Sequence, residues 1–519
     1  MKSVTILTIA AMAMAAATGC SHDNPTPSPE PPVKGGEFNE FGFTTTAPVT
    51  LSVDYGDMAG MPANVYFEVY DTCPVEETET AYAKIAGVEP LYAGYTDGQG
   101  RFEGTIELPA YIRKAYVLTP AFYARTLLEA TRSGDMLTAS AESGAPANAA
   151  PASTRAKEYH STAVERDGWK TWLGSYDTTY GSIGYEYDGD LKVKNYGALL
   201  KAHASVFDTT KKCPKEYRSS RDLYLEKSAE VVITLLGSNT CWNSSMGYYY
   251  YKTGNKPKSL ADANVVMIFP NTQDGRWSNS PWESRLYQGV ERGTAVQLIY
   301  YPEIADGSKA GATTVFPADY RIGFVLATNA WTNRLRAGDK KYRAATSDGL
   351  SVNNNGVAYQ TPRTAVFRYT DKKSGINSVL FSFEDHTNDE NFSDVVFTMT
   401  SNPVDAVTDI PSVDVNDGKK TANVLRGIYA FEDLWPSRGD YDMNDVMVRS
   451  DYEKVFNEKG VFEESFMLKT FANFAGNANG LAVPLTGAAA DAKLEFSVRK
   501  PGAETFEAAD FERDGKVVL

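Results

Sequence analysis

The chain has few of the residues on which most metal and nucleophilic chemistry depends. Its 519 residues include only four histidines and four cysteines. No HExxH pattern and no CxxC pair is present, so metalloprotease, zinc-ribbon and thioredoxin-type sites have no support. A GxSxG elbow and a phosphate-binding glycine loop are also absent. We therefore expect a non-enzymatic protein. A hydrolase with paired carboxylates is the less favoured alternative, because an acidic chain holds many such pairs.

Basic surface is also missing. The formal net charge is −15, and no stripe of Lys and Arg interrupts the acidic background. Such a chain is repelled by phosphate backbones, so we expect no nucleic-acid partner. An acidic surface does suit divalent cations.

Long apolar runs and stretches of helical periodicity are scarce. Hydrophobic residues still make up 42% of the chain, with 31 Tyr and 24 Phe. Short alternating segments separated by Gly, Pro and Asn turns favour β structure. The composition therefore predicts a mainly β protein, and the length suggests about three domains.

The single marked apolar run lies at the N-terminus. It extends from Val4 to Ala17 and is too short to cross a membrane but suits the core of a signal peptide. It ends in Ala17-Thr18-Gly19-Cys20, which resembles a bacterial lipobox. We expect Cys20 to be lipidated and to anchor an outer-membrane lipoprotein, with surface exposure on the cell left open. The alternative is an ordinary secretory signal with an incidental cysteine.

Composition divides the rest of the chain into modules. Residues 1–19 are the predicted signal and 20–37 a Pro-rich tether, which would be stiff and extended. We predict a small β-sandwich at 38–135, with a hairpin turn at Asp97-Gly98, and a linker at 136–159. Residues 160–403 are predicted to form a larger, jelly-roll-like antiparallel sandwich. A linker at 404–422 then leads to a β domain at 423–519, which we expect to be incomplete because the last residues resemble the start of a strand.

An acidic motif occurs twice. Each copy reads Phe-Glu-Asp, a short spacer, and then alternating Asp, Asn or Ser before an Asp-Val step. The oxygen-bearing residues of the first copy, which closes the larger sandwich, are Glu384, Asp385, Asp389, Asn391, Ser393 and Asp394. Those of the second copy are Glu432, Asp433, Asp440, Asp442, Asn444 and Asp445. Recurrence of so many matched oxygens points to a loop that holds a cation.

Calcium is the predicted cation. Alternate side chains of an extended segment point to the same side, so Asp389, Asn391 and Ser393 would converge, as would Asp440, Asp442 and Asn444. A hairpin would bring the preceding Glu-Asp pair of each copy back beside the loop. Calcium accepts roughly 6–8 oxygen ligands in irregular geometry, whereas magnesium demands a stricter octahedron. The alternative is a pair of solvated turns in which Asp and Asn bond their own backbone.

Two further features of the sequence, a pair of cysteines and a group of aromatic residues, can each be interpreted in two ways. Cys213 and Cys241 could form a disulfide or remain two thiols. Trp277 and Trp282, with Trp242, Trp331 and the run Tyr248 to Tyr251, could offer stacking surfaces for a glycan or could fill cores. The partner is therefore an unidentified protein or a glycan, besides the membrane that the lipid anchor would enter.

The second acidic motif also carries a family resemblance. Phe431 to Pro436, followed by Gly439 to Val446, resembles the signature of LruC-domain proteins, which are surface lipoproteins of Gram-negative bacteria. Phe383 to Val396 resembles the end of a companion domain often found beside it, and Thr96 to Phe102 resembles a turn of prealbumin-like modules. The resemblance implies an envelope protein and carries no catalytic activity.

Overall fold

The computed structural model describes most of the chain between residues 46 and 476 and parts of both ends. The described residues are 4–11, 46–56, 64–77, 82–141, 159–160, 169–177, 181–193, 196–240, 242–273, 289–331, 342–371, 376–386, 389–412, 420–432, 443–457, 460–476, 481, 483–484, 493–500, 502–508, 513–514 and 517–518. Within them the chain is mainly β, with several sheets, as predicted.

The first strand, β1 (Val4–Ala11), joins the sheet at the far end of the chain. The N-terminal module, residues 46–141, follows with a seven-stranded sheet in the order β6-β3-β8-β9-β10-β2-β7 and a separate β4-β5 pair. Its strands are β2 (Thr46–Asp54), β3 (Tyr66–Tyr70), β4 (Val75–Glu77), β5 (Tyr82–Lys84), β6 (Tyr92–Tyr95), β7 (Arg101–Pro109), β8 (Lys114–Leu118), β9 (Leu127–Ser133) and β10 (Met136–Ser140).

Two predictions for this module need correction. The turn at Asp97 is present, because its Oδ1 accepts the backbone N–H groups of Gln99 and Arg101 at 2.8 and 2.9 Å. However, it joins β6 to β7, which lie at opposite edges of the sheet, so the predicted hairpin is wrong. The linker predicted from residue 136 begins later, since β10 pairs with both β2 and β9.

The central module, residues 159–412, is a sandwich of two sheets. Its elements are β11 (Tyr159–His160), β12 (Trp169–Trp172), β13 (Tyr176–Asp177), α1 (Tyr196–Val206), β14 (Leu223–Leu225), β15 (Ala229–Ser238), β16 (Ser245–Lys252), β17 (Val265–Phe269), β18 (Ala295–Gln297), β19 (Val315–Phe316), β20 (Tyr320–Ala327), β21 (Arg343–Ala345), β22 (Thr364–Asp371), β23 (Ile376–Phe383), β24 (Val395–Asn402) and β25 (Val407–Thr408). Short 3-10 turns lie at Lys215–Tyr217, Leu260–Asp262 and Ile304–Asp306.

The two sheets of the sandwich enclose an aromatic core. One sheet has the order β12-β17-β16-β20-β14-β25, with β21 on β20, and the other has the order β18-β15-β24-β23-β22, with β19 on β15. Phe324 of the first sheet lies 5.2 and 4.9 Å, between ring centroids, from Phe381 and Phe397 of the second. Alternation of side chains along β23 turns its neighbour Leu380 to the outer face.

That outer face is covered as well. Leu380 and Phe367 share a second core with α1 and with the N-terminal module, where Phe122 is fully buried. Burial of the second sheet on both faces explains why six consecutive residues of β23, Ser378 to Phe383, are buried. The N-terminal and central modules are therefore packed together and are not separated in space.

The C-terminal module, residues 420–518, is built on a sheet in the order β26-β27-β28-β1-β30-β31. Its strands are β26 (Lys420–Phe431), β27 (Val446–Asn457), β28 (Gly460–Asn473), β29 (Val483–Pro484), β30 (Lys493–Arg499), β31 (Glu507–Ala508), β32 (Arg513–Asp514) and β33 (Val517–Val518). β1 is parallel to both β28 and β30. Ala422 and Phe456 pack on Tyr66 and Ala93 of the N-terminal module.

The predicted linker at 404–422 is structured at both ends. Its first part contains β25, which pairs with β14 of the central module, and its last part begins β26. No described helix is long and apolar enough to cross a membrane.

Candidate cation site

The first acidic loop connects two neighbouring strands of the central sandwich. Phe383 at the end of β23 pairs with Val395 at the start of β24, so the loop between them closes on itself. The Asp394 N–H donates to the Phe383 carbonyl at 3.2 Å, which extends the ladder by one bond. The residues that follow β23 are thereby placed beside those that precede β24.

Three carboxylates of this loop converge. One oxygen from each of Glu384, Asp389 and Asp394 lies within 4.8 Å of the others. Glu384 is 1% exposed and Asp394 is 4% exposed, while Asp389 is half-buried. The structure therefore brings together three of the residues that the sequence offers as ligands, and they are not the Asp389, Asn391 and Ser393 group that alternation predicts.

Left-handed backbone positions bend the loop around the cluster. Glu390 and Phe392 have φ angles of 50° and 59°, which non-glycine residues adopt rarely. The turn aims the Phe392 N–H at Glu384 Oε2, at 3.2 Å. The Asp385 N–H donates to Asp394 Oδ2 at 2.6 Å. Backbone donors thus orient two of the three carboxylates.

Asp385 adds a fourth buried acid, 4% exposed. Its Oδ2 accepts the Thr240 hydroxyl at 2.5 Å, and its carbonyl accepts the Thr328 hydroxyl at 2.9 Å. Burial, together with the charge of Asp389, raises the pKa of Asp385 to about 7, although the Thr240 hydrogen bond opposes the shift. The hydrogen bonds from Thr240 and Thr328 therefore fix the position of Asp385 beside the three converging carboxylates.

The buried cation of the site is Arg363, which is 1% exposed. It directly precedes β22, and because Thr364 pairs with Phe383, it lies opposite Glu384. Arg363 Nη2 is 3.2 Å from Glu384 Oε1. Arg363 Nη1 also lies 4.0 Å from Glu390 Oε1, while Glu390 Oε2 accepts hydrogen bonds from Arg218 and Lys212.

One guanidinium does not balance four carboxylates, of which three are buried and Asp389 is half-buried. Burial raises the pKa of Glu384 and of Asp394 well above the usual range, and the neighbouring acids raise both further. Two like charges 4.8 Å apart repel by roughly 3–4 kcal/mol at an effective dielectric constant near 20. The cluster therefore requires protons or a bound cation, since full ionisation beside Arg363 alone is too costly.

Two buried oxygens of the loop make no hydrogen bond within the described residues. They are Glu384 Oε1, which faces Arg363 without hydrogen-bond geometry, and the hydroxyl of Ser393, which is fully buried. Buried polar atoms are nearly always satisfied in native proteins. An oxygen that receives no hydrogen bond is free to coordinate a metal ion.

Asn391 was predicted as a ligand, and its amide is occupied by other contacts. Its Oδ1 accepts the Ser393 N–H at 2.7 Å. Its Nδ2 donates to Asp389 Oδ2 at 2.7 Å and to the Thr209 carbonyl at 3.0 Å. In the structure Asn391 therefore holds Asp389 in place through a hydrogen bond. Only the second lone pair of its Oδ1 is left to bind an ion.

The second acidic loop is described in part. Asp433, Asp440 and Asp442 lie outside the described residues, whereas Glu432, Asn444 and Asp445 are half-buried. Its ligand set therefore stays a prediction.

The described residues of the two loops occupy equivalent backbone positions. The Phe431–Val446 pair repeats the Phe383–Val395 pair, and Met443, at the position of Phe392, has a φ of 56°. Both copies place the same bend immediately before the Asp-Val step.

A third strand completes each copy in the same way. The Asn239 N–H donates to the Asp394 carbonyl at 3.0 Å, and the Phe474 N–H donates to the Asp445 carbonyl at 2.8 Å. The third strand is bulged at the matching place in both copies, by one extra residue, Leu236 in β15 and Phe471 in β28. The repeat seen in the sequence is thus also a repeat of structure.

The copies differ in their surroundings. β23 has β22 on its outer side and receives Arg363 from it, whereas β26 is the edge strand of its sheet within the described residues. The described residues of the second loop, Glu432 and Met443 to Asp445, are accordingly more exposed than their counterparts in the first, and no described strand supplies them with a counterpart of Arg363.

The remaining predicted sites give mixed outcomes. Cys20, Cys241, Trp277 and Trp282 lie outside the described residues. Cys213 is a buried free thiol. Trp331, Tyr248 and Tyr249 are at most 1% exposed, so they fill the core and offer no face to a sugar.

Sequence reasoning missed Arg363 and Thr240. Arg363 directly precedes β22 and Thr240 follows β15, and only the pairing of β22 with β23 would have placed Arg363 opposite Glu384. Asp222 is a further unpredicted buried acid, which accepts hydroxyl hydrogen bonds from Tyr251 at 2.7 Å, Thr346 at 2.5 Å and Ser347. It is fully engaged and belongs to the core.

Comparison with known proteins identifies two regions of the chain. Residues 47–141 match the model of a domain of unknown function (DUF8469), and residues 316–402 match that of another domain of unknown function (DUF4114). The first match coincides with the N-terminal module and includes β10. The second spans β20 to β24 and contains the whole first acidic loop. No curated protein and no solved structure matches the chain.

Proposed function

We propose that this protein is a lipid-anchored component of the bacterial cell envelope whose acidic loops bind calcium. Its role is structural or adhesive, through a protein or glycan partner, and no catalysis is assigned to it. The observation that carries the calcium proposal is the convergence of Glu384, Asp389 and Asp394 oxygens within 4.8 Å in a largely buried loop.

Calcium suits the donor set of this loop. Carboxylate oxygens at the cluster can be joined by the Ser393 hydroxyl and by backbone carbonyls, and calcium tolerates such irregular sets. A divalent ion would offset the repulsion among the acids that Arg363 leaves unbalanced. The backbone geometry that the second loop shares with the first supports a second site, with Glu432 and Asp445 in the places of Glu384 and Asp394.

Isothermal titration calorimetry of the full chain tests the calcium proposal. Sites of extracellular modules bind with dissociation constants of about 10⁻⁴–10⁻³ M, so the titration must extend to roughly 10 mM calcium. We expect saturable binding that magnesium does not reproduce and that Asp394→Asn weakens. The matched control is Asp405→Asn, an exposed acid of the same module. Absence of saturable heat, or equal binding by Asp394→Asn, would refute a site in the first loop.

The membrane anchor is tested independently. Cells that express the full chain are fed an alkyne fatty acid, and the protein is purified and probed for the label. We expect label on the wild type, loss in Cys20→Ser, and no loss in the control Cys73→Ser. Retention of the label by Cys20→Ser would contradict lipidation at that residue.

A further inference from the structure

One short segment joins the acidic loop to the N-terminal module. Residues 208–213, here called the bridge segment, follow α1 and pass between the loop and the module. Thr209 contacts both: its N–H donates to the Pro120 carbonyl at 3.1 Å, and its carbonyl accepts from Asn391 Nδ2 at 3.0 Å. A single residue, Thr209, thus lies between a residue of the N-terminal module and a residue of the loop.

Neighbouring bonds repeat this arrangement. The Lys84 N–H of the N-terminal module donates to the Thr210 carbonyl at 3.3 Å. The Cys213 N–H donates to the Glu390 carbonyl at 2.7 Å. The bridge segment is therefore bonded at two points to the N-terminal module and at three to the loop, since Lys212 also donates to Glu390 Oε2. It cannot shift on one side without disturbing the other.

Aromatic packing rests on the same region. His203 of α1 lies 4.6 Å from Phe122 and 4.5 Å from Phe207, between ring centroids. All three side chains are buried, and they belong to the core that the two modules share. The position of α1 and of the bridge segment therefore decides how the N-terminal module packs on the sandwich.

Asn391 connects the carboxylate cluster to this interface through two hydrogen bonds. Its amide group has two hydrogens, and one bonds Asp389 while the other bonds Thr209. Asp389 is a member of the carboxylate cluster. A cation bound to the cluster would fix the position of Asp389 and therefore that of Asn391. Without a cation, repulsion from Glu384 and Asp394 would displace Asp389 and weaken the hydrogen bonds that Asn391 donates.

We propose that cation binding in the first acidic loop locks the N-terminal module onto the central sandwich through Asn391 and the bridge segment. This inference rests on the calcium site proposed above. The second loop has Asp442 in place of Asn391, and an ionised carboxylate has no hydrogen to donate. The locking device is thus specific to the first loop.

Hydrogen exchange of the full-length wild type, with excess calcium and with a chelator, tests the proposal. We expect calcium to slow exchange roughly tenfold or more in peptides that cover the bridge segment and in peptides around Pro120 and Phe122. Peptides from β16, on the far sheet of the sandwich, and from β7, at the edge of the N-terminal sheet, are internal controls. They should slow far less.

Calorimetry on the same samples separates the outcomes. If calcium binds but protection is confined to residues 384–394, the locking mechanism is refuted and the calcium site stands. Uniform slowing of all peptides, β7 and β16 included, also refutes it, because that pattern reports global stabilisation. If no calcium binds to the first loop, both the site and the lock are refuted. Protection of residues 384–394, the bridge segment and the Pro120 region, without comparable slowing in β7 and β16, supports the lock.

Discussion

Arg363 Nη2 lies 3.2 Å from Glu384 Oε1, and both side chains are at most 1% exposed. This ion pair belongs to a cluster that also contains Asp385, Asp389 and Asp394. Removal of one partner from a buried pair costs about 3–5 kcal/mol. In this site the cost should depend on calcium, because a second cation is available to the same carboxylates.

Arg363→Gln should therefore destabilise the metal-free protein by about 3–5 kcal/mol and show a larger gain from calcium than the wild type. Chemical denaturation with calcium and with a chelator measures both quantities. Arg221→Gln is the matched control, since Arg221 forms an exposed pair with Asp409 on the same module. An equal calcium gain in Arg363→Gln and wild type would show that no ion reaches these acids.

Asp394→Asn should have opposite effects in the two conditions. Without calcium, removal of one like charge from the buried cluster should raise the free energy of unfolding by roughly 1–3 kcal/mol. With calcium, the variant should gain little, because a ligand is lost. The curves of thermal unfolding temperature against calcium concentration should then cross. If Asp394→Asn is destabilised equally in both conditions, the carboxylate has a purely structural role.

The stabilisation by calcium should grow as pH rises from about 5 to 8. Burial raises the pKa of Asp385 to about 7 and those of Glu384 and Asp394 well above the usual range. A carboxyl whose folded pKa is raised destabilises the metal-free fold as pH rises from the unfolded value through the folded one. Calcium replaces these protons, so it removes the penalty in the same window.

Calorimetry in two buffers of different ionisation enthalpy measures the protons released on binding. We expect release near pH 6 and less near pH 8, where more of the cluster is already ionised. A calcium gain that is flat between pH 5 and pH 8, with no proton release, would show that the buried acids are not the ligands.

The second loop should bind its own ion. Asp442→Asn should remove the part of the calcium response that Asp394→Asn leaves, and the double variant should show neither part. Sites in separate modules with no shared partners contribute nearly additively. Calorimetric stoichiometry distinguishes the variants, with about two ions for the wild type and about one for each single variant. A wild-type stoichiometry of one that Asp442→Asn leaves unchanged would confine binding to the first loop.

Much of this architecture could be predicted from the chain, and the reasons are local. β20 (Tyr320–Ala327) is an example, because its run of apolar residues ends in turn residues on both sides. The hairpin that returns Glu384 beside Asp389 follows from the pairing of the flanking strands, whereas alternation in an extended segment does not bring Asp394 to them. Asp394 joins the cluster in a loop that is bent at the left-handed residues Glu390 and Phe392.

Features that depend on distant pairing could not be predicted. Arg363 reaches the acids only through the register of β22 on β23, and β10 joins its sheet although only Leu137 and Ala139 are buried along it. Helix α1 was also unpredicted. Its sequence is short and mixed, and it is stabilised by burial between two modules, which no local pattern reports.

The most direct test of the calcium site is a high-resolution structure of the full chain crystallised with calcium. The account predicts one ion in the first loop, with oxygens of Glu384, Asp389 and Asp394 at about 2.3–2.6 Å from it. An empty cluster in that crystal, with the carboxylates joined to one another by shared protons or turned apart, would contradict it.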